Sequence, residues 1–194
     1  MSAVALILAS ASSRRRELLT QIGVRFECRS ADIDEAVCDA EAPADYVCRL
    51  ALEKALSVAS MTPDVWVLGS DTSVVCEQQV LGKPVDKADA VTMLMSLSGR
   101  RHQVLTAVAL VRGEQQHRFL VTTDVLFKSL SRDECERYWQ TGEPQDKAGS
   151  YAIQGLGAVF VERIEGSYSA VVGLPLQETA QLLLQLGVPI WQRD

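Results

Sequence analysis

The sequence predicts an α/β fold, a mixed twisted sheet with helices on its faces. Three observations predict it. Apolar runs of strand length alternate with segments of helical period along the chain. VLTAVALV and FLVTTDVLF bracket Gly113-Glu114-Gln115-Gln116, a hairpin signal that requires antiparallel pairing. The 194 residues are 47% hydrophobic and 23% charged, ordinary for a globular chain long enough to bury a substantial core.

Residues 4 to 9, VALILA, form a continuous apolar run and predict a buried strand. Ser10 to Ser13 make a turn, with Ser12 or Ser13 as N-cap of a helix that reaches about Ile22 and stops at Gly23. A second strand is expected over Val24 to Arg29, and residues 30 to 42 read as an acidic loop. Pro43 suits a helix first turn, and Val47, Leu50, Ala51, Ala55, Val58 and Ala59 share one helical face up to Met61. VWVLGSDTSVVC, residues 65 to 76, is a strand with one polar break, and a turn at Glu77 to Gln79 leads into VLGKP. A helix follows from Asp86 to Leu97, closed by Gly99. After the hairpin, Ser131 with Glu134 makes a capping box for a helix through Trp139. A Gly-rich stretch at 149 to 157 precedes a strand AVFVERI, and a last helix is expected from about Pro175 to Leu186. Residues 1–194 show no repeat, low-complexity tract or obvious linker, and their length suits one large domain or two small lobes.

Composition narrows the function. A net charge of −6 argues against general nucleic-acid binding, which needs a basic face. Five cysteines, Cys28, Cys38, Cys48, Cys76 and Cys135, include no CxxC pair, so a zinc site or disulfide framework is not expected and a reducing cytoplasm fits better. His102 and His117 are too few for a multi-histidine metal centre. The N-terminal apolar run is too short to span a bilayer, and its charges follow rather than precede it, which is wrong for a signal peptide.

Five constellations carry chemistry. SASSRRR, Ser10 to Arg16, places hydroxyls, backbone N–H groups and guanidiniums at a helix start; this suits a phosphate, and equally a solvated basic turn with one arginine paired to the neighbouring acidic loop. DIDE, Asp32 to Glu35, offers hard oxygen ligands to a divalent cation, although acidic loops are usually just solvated. Asp71 interrupts an apolar strand, where a carboxylate needs a cation or metal; it reads as metal ligand or general base, against a strand-end cap or a bulge at Gly69. Lys54 lies on the apolar side of its helix and must find a partner or snorkel, while Lys83 is fixed between Gly82 and Pro84. DKAGSYAIQGLG, Asp146 to Gly157, is neither a Walker A loop nor a Rossmann fingerprint, but the Gln154 amide can read a base edge.

Taken in order, S-x-S-x-R-R, D-x-D-E, EKA, GSDT, GKP, S-G-x-x-H, D-K-A-G-x-Y-x-I-Q-G-x-G and V-V-G-L-P closely resemble the Maf family of nucleoside triphosphate pyrophosphatases, from Leu6 to about Leu184. The resemblance implies a single Maf-type domain whose two lobes enclose a cleft, similar to inosine triphosphate pyrophosphatases (Ham1). It implies Mg²⁺ or Mn²⁺ and cleavage of a nucleoside triphosphate to monophosphate and pyrophosphate. By position, Asp71 is the implied catalytic carboxylate and Glu35 its metal-binding partner. Ser10, Arg14, Arg15, Lys54 and Lys83 are the implied phosphate-binding groups. Thr72 and Gln154 match the subgroup acting on dTTP and UTP, with Arg14 the third specificity position; the subgroup favouring 7-methyl-GTP typically carries Gln and Glu at those two places. Ser13 departs from the family, which usually has proline there. Other readings consistent with the resemblance are the same chemistry on CTP, modified pyrimidines or 7-methyl-GTP, and a nucleotide-binding regulator of septum formation. The implied partner is the nucleotide, with no nucleic acid and no membrane; a homodimer is common among relatives.

Overall fold

The computed structural model describes residues 5–192, so Val4 of the predicted first strand lies outside the described residues. In chain order the elements are β1 (Leu6–Leu8), α1 (Ser13–Gln21), β2 (Glu27–Cys28), α2 (Pro43–Ala59), β3 (Trp66–Cys76), β4 (Gln79–Leu81) and α3 (Lys87–Leu97). The hairpin β5 (Arg101–Arg112) and β6 (Gln115–Phe127) follows, then α4 (Arg132–Gln140), β7 (Val161–Glu165), α5 (Tyr168–Val172) and α6 (Leu176–Gln185). Strand order is β2-β1-β3-β5-β6-β7, with β4 also paired to β3. β1 runs parallel to β2 and β3, whereas β3/β4 and β6/β7 are antiparallel, so the sheet is mixed as expected. Among the described residues no helix is long and apolar enough to cross a membrane.

The chain folds as two compact units, each assembled from separate segments. Within the described residues the first comprises 5–71, 106–121 and 173–192, and the second 72–105 and 122–172. β3, β5 and β6 each contribute residues to both.

In the first unit, Leu6, Ile7 and Leu8 are all buried, because β1 has a strand on either side. The second strand shrinks from the predicted Val24–Arg29 to Glu27–Cys28, since a three-residue partner offers little more to pair with. The Ser12 side chain caps α1 by accepting from the Arg15 N–H at 3.4 Å. Ser13 is the first helical residue, directly after that cap. α2 buries the predicted face, including Val47, Leu50, Ala51, Ala55 and Val58. It lies close upon β3: a Cβ on Gly69 would stand 2.2 Å from the Ala51 carbonyl oxygen and 2.7 Å from the Ala55 nitrogen. Only glycine permits that approach. Gly69 is therefore a helix–strand contact rather than a bulge.

In the second unit, Asp86 caps α3 by accepting from the Asp89 N–H at 2.9 Å, and Ser131 with Glu134 forms the full capping box of α4. Leu94, Leu97, Phe127, Tyr138, Tyr151 and Phe160 pack into one core. The strand predicted at Ala158 begins only at Val161, because Leu156–Phe160 coil into a 3₁₀ turn that turns Phe160 inward. β5 and β6 extend beyond their predicted apolar cores, because polar residues near the hairpin ends continue the ladder.

Candidate functional site

Asp71 stands within β3, not at its end, which removes the strand-cap reading. It lies two residues beyond Gly69, so both point to one face of the sheet, the face α2 approaches. On α2, Lys54 is three residues beyond Ala51 and next to Ala55, the two residues against Gly69. The close approach therefore delivers an ammonium to a carboxylate. Lys54 Nζ lies 2.8 Å from Asp71 Oδ1 and 2.7 Å from Glu35 Oε1. The Lys54 and Asp71 side chains are each only 11% exposed, and Glu35 reaches in from a half-exposed position.

Glu35 belongs to the acidic loop, which α2 holds in place. Tyr46 Oη donates to the Glu35 carbonyl at 2.9 Å, and Arg49 Nη2 donates to the Ala36 carbonyl at 3.0 Å. Arg49 also makes paired bonds to Glu41, at 2.6 and 2.7 Å. That pairing holds the Glu41 carboxyl down at about 2. The loop is thus tied down rather than merely solvated. Neither Tyr46 nor Arg49 stands out in the sequence; their signal is a spacing of three on one helix.

The start of α1 completes the constellation. Ser10 is buried, and its Oγ accepts from the Ser12 N–H at 3.1 Å and from Arg15 Nη1 at 3.4 Å. Arg15 Nε donates to the Gly173 carbonyl at 2.9 Å, an oxygen that also accepts from Ser70 Oγ at 3.2 Å. Burial pulls the Arg15 guanidinium below its ordinary pKa; the charge of Asp71 opposes that and the charge of Arg14 adds to it. Burial raises the Asp71 carboxyl above its ordinary value, although Lys54 and Arg15 both pull it down. A carboxylate made more basic in this way is suited to accept a proton.

Ser10, Arg14, Arg15, Glu35, Lys54 and Asp71 all belong to the first unit; Lys54, Asp71, Glu35 and Arg15 interact around one buried ion pair, Ser10 is bonded to Arg15, and the charge of Arg14 acts on Arg15. Thr72, Lys83 and Gln154 belong to the second unit. Thr72 directly follows Asp71 on β3 and is half-buried. Lys83 is exposed between β4 and α3, and Gln154 is exposed in the turn before Leu156–Phe160. Among the described residues no three His, Cys, Asp or Glu side chains converge as metal ligands. Asp71 and Glu35 nevertheless present two carboxylate oxygens to a single cation, Lys54 Nζ. Two hard oxygen donors fit Mg²⁺ or Mn²⁺, since such ions keep several waters and accept phosphate oxygens.

The sequence matches the Maf family (Maf-like protein) over residues 5–186. It is 60% identical over 181 residues to the dTTP/UTP pyrophosphatase of Vibrio parahaemolyticus serotype O3:K6 (strain RIMD 2210633), covering 93% of this chain and 96% of that protein. It is 54% identical over 187 residues to the dTTP/UTP pyrophosphatase of Colwellia psychrerythraea (strain 34H / ATCC BAA-681), covering 94% and 88%. The protein of the same name from Hahella chejuensis (strain KCTC 2396) is 54% identical over 189 residues, covering 96% and 94%. Among solved structures, the Staphylococcus aureus Ham1 protein aligns with 63% of this chain and 71% of its own, at a TM-score of 0.44 and 11% identity, too remote a likeness to build on.

Proposed function

The chain belongs to the Maf family, and we propose that it is a nucleoside triphosphate pyrophosphatase hydrolysing dTTP and UTP to the monophosphate and pyrophosphate. The observation that carries the reading is the Lys54 ammonium held between Asp71 and Glu35, with the Arg15 guanidinium beside them. The names of the relatives, at 54–60% identity over most of the chain, support the substrate class.

A triphosphate brings about four negative charges near neutral pH, and charge builds further as the transferred phosphoryl group reacts. Arg14, Arg15, Lys54 and Lys83 bind and orient it, and Ser10 contributes a hydroxyl. Asp71 accepts a proton from the water that adds to the α-phosphorus. As that P–O bond forms, the α–β bridging P–O bond breaks and pyrophosphate leaves. Asp71 and Glu35 would hold a divalent cation, which when bound supplies charge neutralisation and Lewis acidity. Arg14, Thr72 and Gln154 select the base; a neutral amide both donates to and accepts from a pyrimidine edge. The enzyme acts in the cytoplasm, where reducing conditions keep its five free cysteines as thiols.

A panel of nucleoside triphosphates with Mg²⁺ or Mn²⁺, scored for monophosphate and pyrophosphate, tests the reading. Expected are highest kcat/KM for dTTP and UTP and, in ¹⁸O-water, label in the monophosphate. Asp71→Asn is expected to abolish turnover with the fold intact. Pyrophosphate release by that variant at near wild-type rate would remove Asp71 as the base, and preference for a purine nucleotide would overturn the substrate assignment.

A further inference from the structure

The phosphate site leaves the stretch Ile153-Gln154-Gly155-Leu156-Gly157 without a structural reason for its glycines. The second unit supplies one. Tyr138, buried on α4, donates its hydroxyl to Glu143 Oε1 at 2.6 Å, and the same hydroxyl oxygen accepts from the Ala152 N–H at 3.1 Å. The Glu143 carboxylate accepts from the Leu156 N–H at 2.9 Å and from the Gly157 N–H at 2.9 Å. One phenol–carboxylate pair therefore grips the backbone two residues before Gln154 and again two and three residues after it.

The glycines exist to admit this grip. A Cβ at position 155 would stand 2.1 Å from Glu143 Oε2, and one at 157 would stand 2.6 Å from Tyr138 Oη. Within the turn, the Gly155 N–H donates to the Ala152 carbonyl at 3.1 Å. Ile153 is buried in the core, and Tyr151 Oη lies 3.0 Å from His102 Nε2. Gln154 is the exposed side chain left between these fixed points. Burial works against the charge on Glu143, but the Tyr138 hydroxyl, both N–H groups and Lys147 outweigh it and hold the carboxyl below its ordinary value. The grip is therefore charged at working pH, and charge-assisted hydrogen bonds are shorter and stronger than neutral ones.

We infer that Tyr138 and Glu143 are positioning residues for base selection, holding the backbone of Gln154 so that its amide meets the nucleobase edge in one orientation. The inference rests on the reading of Gln154 as base reader. Preorganisation of this kind makes the amide more selective, because the backbone that carries it needs no ordering at binding and only the side chain does.

The test compares Tyr138→Phe and Glu143→Gln with Gln154→Ala, alone and combined, in the full chain. Tyr138→Phe keeps the ring that packs edge-on against Phe160 at 4.9 Å, so it removes a hydroxyl and little else. Two quantities are measured: the ratio of kcat/KM for UTP to that for GTP, and amide hydrogen exchange at Leu156 and Gly157 without nucleotide. Loss of one charge-assisted hydrogen bond predicts about a tenfold fall in the UTP preference, carried by KM for UTP. Faster exchange at both amides is expected in each clamp variant, and no further loss of preference when either is added to Gln154→Ala. Unchanged preference despite faster exchange would overturn the inference, as would exchange that does not change or losses that add fully to that of Gln154→Ala. If Gln154→Ala alone leaves the preference intact, the underlying reading of Gln154 fails first and the inference falls with it.

Discussion

Replacing Lys54 by Met isolates the buried ion pair, because Met keeps most of the stem and removes only the ammonium. The Asp71 carboxylate would then be left nearly buried, without the cation 2.8 Å away. Breaking one partner of a buried pair costs about 3–5 kcal/mol. Arg15 still faces Asp71, which puts the expected loss near the lower figure, about 3 kcal/mol. For a chain of this size that is a fall of about 6–12 °C in Tm. The pH dependence is the sharper reading. Burial already raises the folded pKa of Asp71, and Lys54 is the largest influence pulling it down. Without Lys54 the folded value climbs further. A group whose pKa is raised on folding stabilises below its unfolded value, and that contribution is lost as pH rises through the folded value. The deficit of Lys54→Met should therefore be larger at neutral pH and shrink as pH falls towards the ordinary aspartate value of about 4, as the carboxyl takes up a proton and needs no cation. Urea unfolding of both proteins across this range measures it. A deficit that is constant with pH, or that grows in acid, would refute the assignment of the cost to a stranded Asp71 charge.

Two further outcomes follow from the same packing. Gly69→Ala should destabilise by about 3 kcal/mol or more, since its Cβ meets α2 backbone that cannot rotate away, and should lower kcat by shifting Lys54; Gly82→Ala, with nothing within 4 Å of the new Cβ, should stay within about 0.5 kcal/mol by thermal unfolding. Arg15→Gln should lower kcat/KM for UTP about tenfold or more, while Arg16→Gln, at an exposed position, should change it less than twofold in steady-state kinetics.

The features legible in the sequence were the local ones. Ser131 with Glu134 announced a cap because both halves of the box lie within one turn. Asp71 and Lys54 stood out because each breaks an apolar face of known period. What stayed hidden depends on distant segments. A bulge at Gly69 was one alternative open in the sequence, and only its contact with Ala51 and Ala55 explains the glycine. The Gly173 carbonyl holds Arg15 from 158 residues away, and a backbone oxygen leaves no trace in residue type. Phe160 reads as strand by its apolar neighbours, yet it ends the 3₁₀ turn Leu156–Phe160 and its ring enters the core. Tertiary packing there overrides propensity.

The same distinction explains the arginines at the start of α1. The helix N-terminus is already positive, so Arg14, Arg15 and Arg16 are locally unfavourable there by a few tenths to about 1 kcal/mol each. Sequence offers three remedies: solvent, an incoming anion, or one arginine paired to the neighbouring acidic loop. For Arg15 the structure brings up the charges of Asp71 and of Glu35 from that loop, and adds a carbonyl ligand from Gly173. These carboxylates offset the cations before any phosphate arrives. An acidic chain can therefore keep a cationic site folded, with Lys54 and Arg15 already held in place by groups that a triphosphate's oxygens resemble. The carboxylates that stabilise the resting site are the ones proposed to act on the substrate, so stability and chemistry depend on the same few ångströms around Lys54.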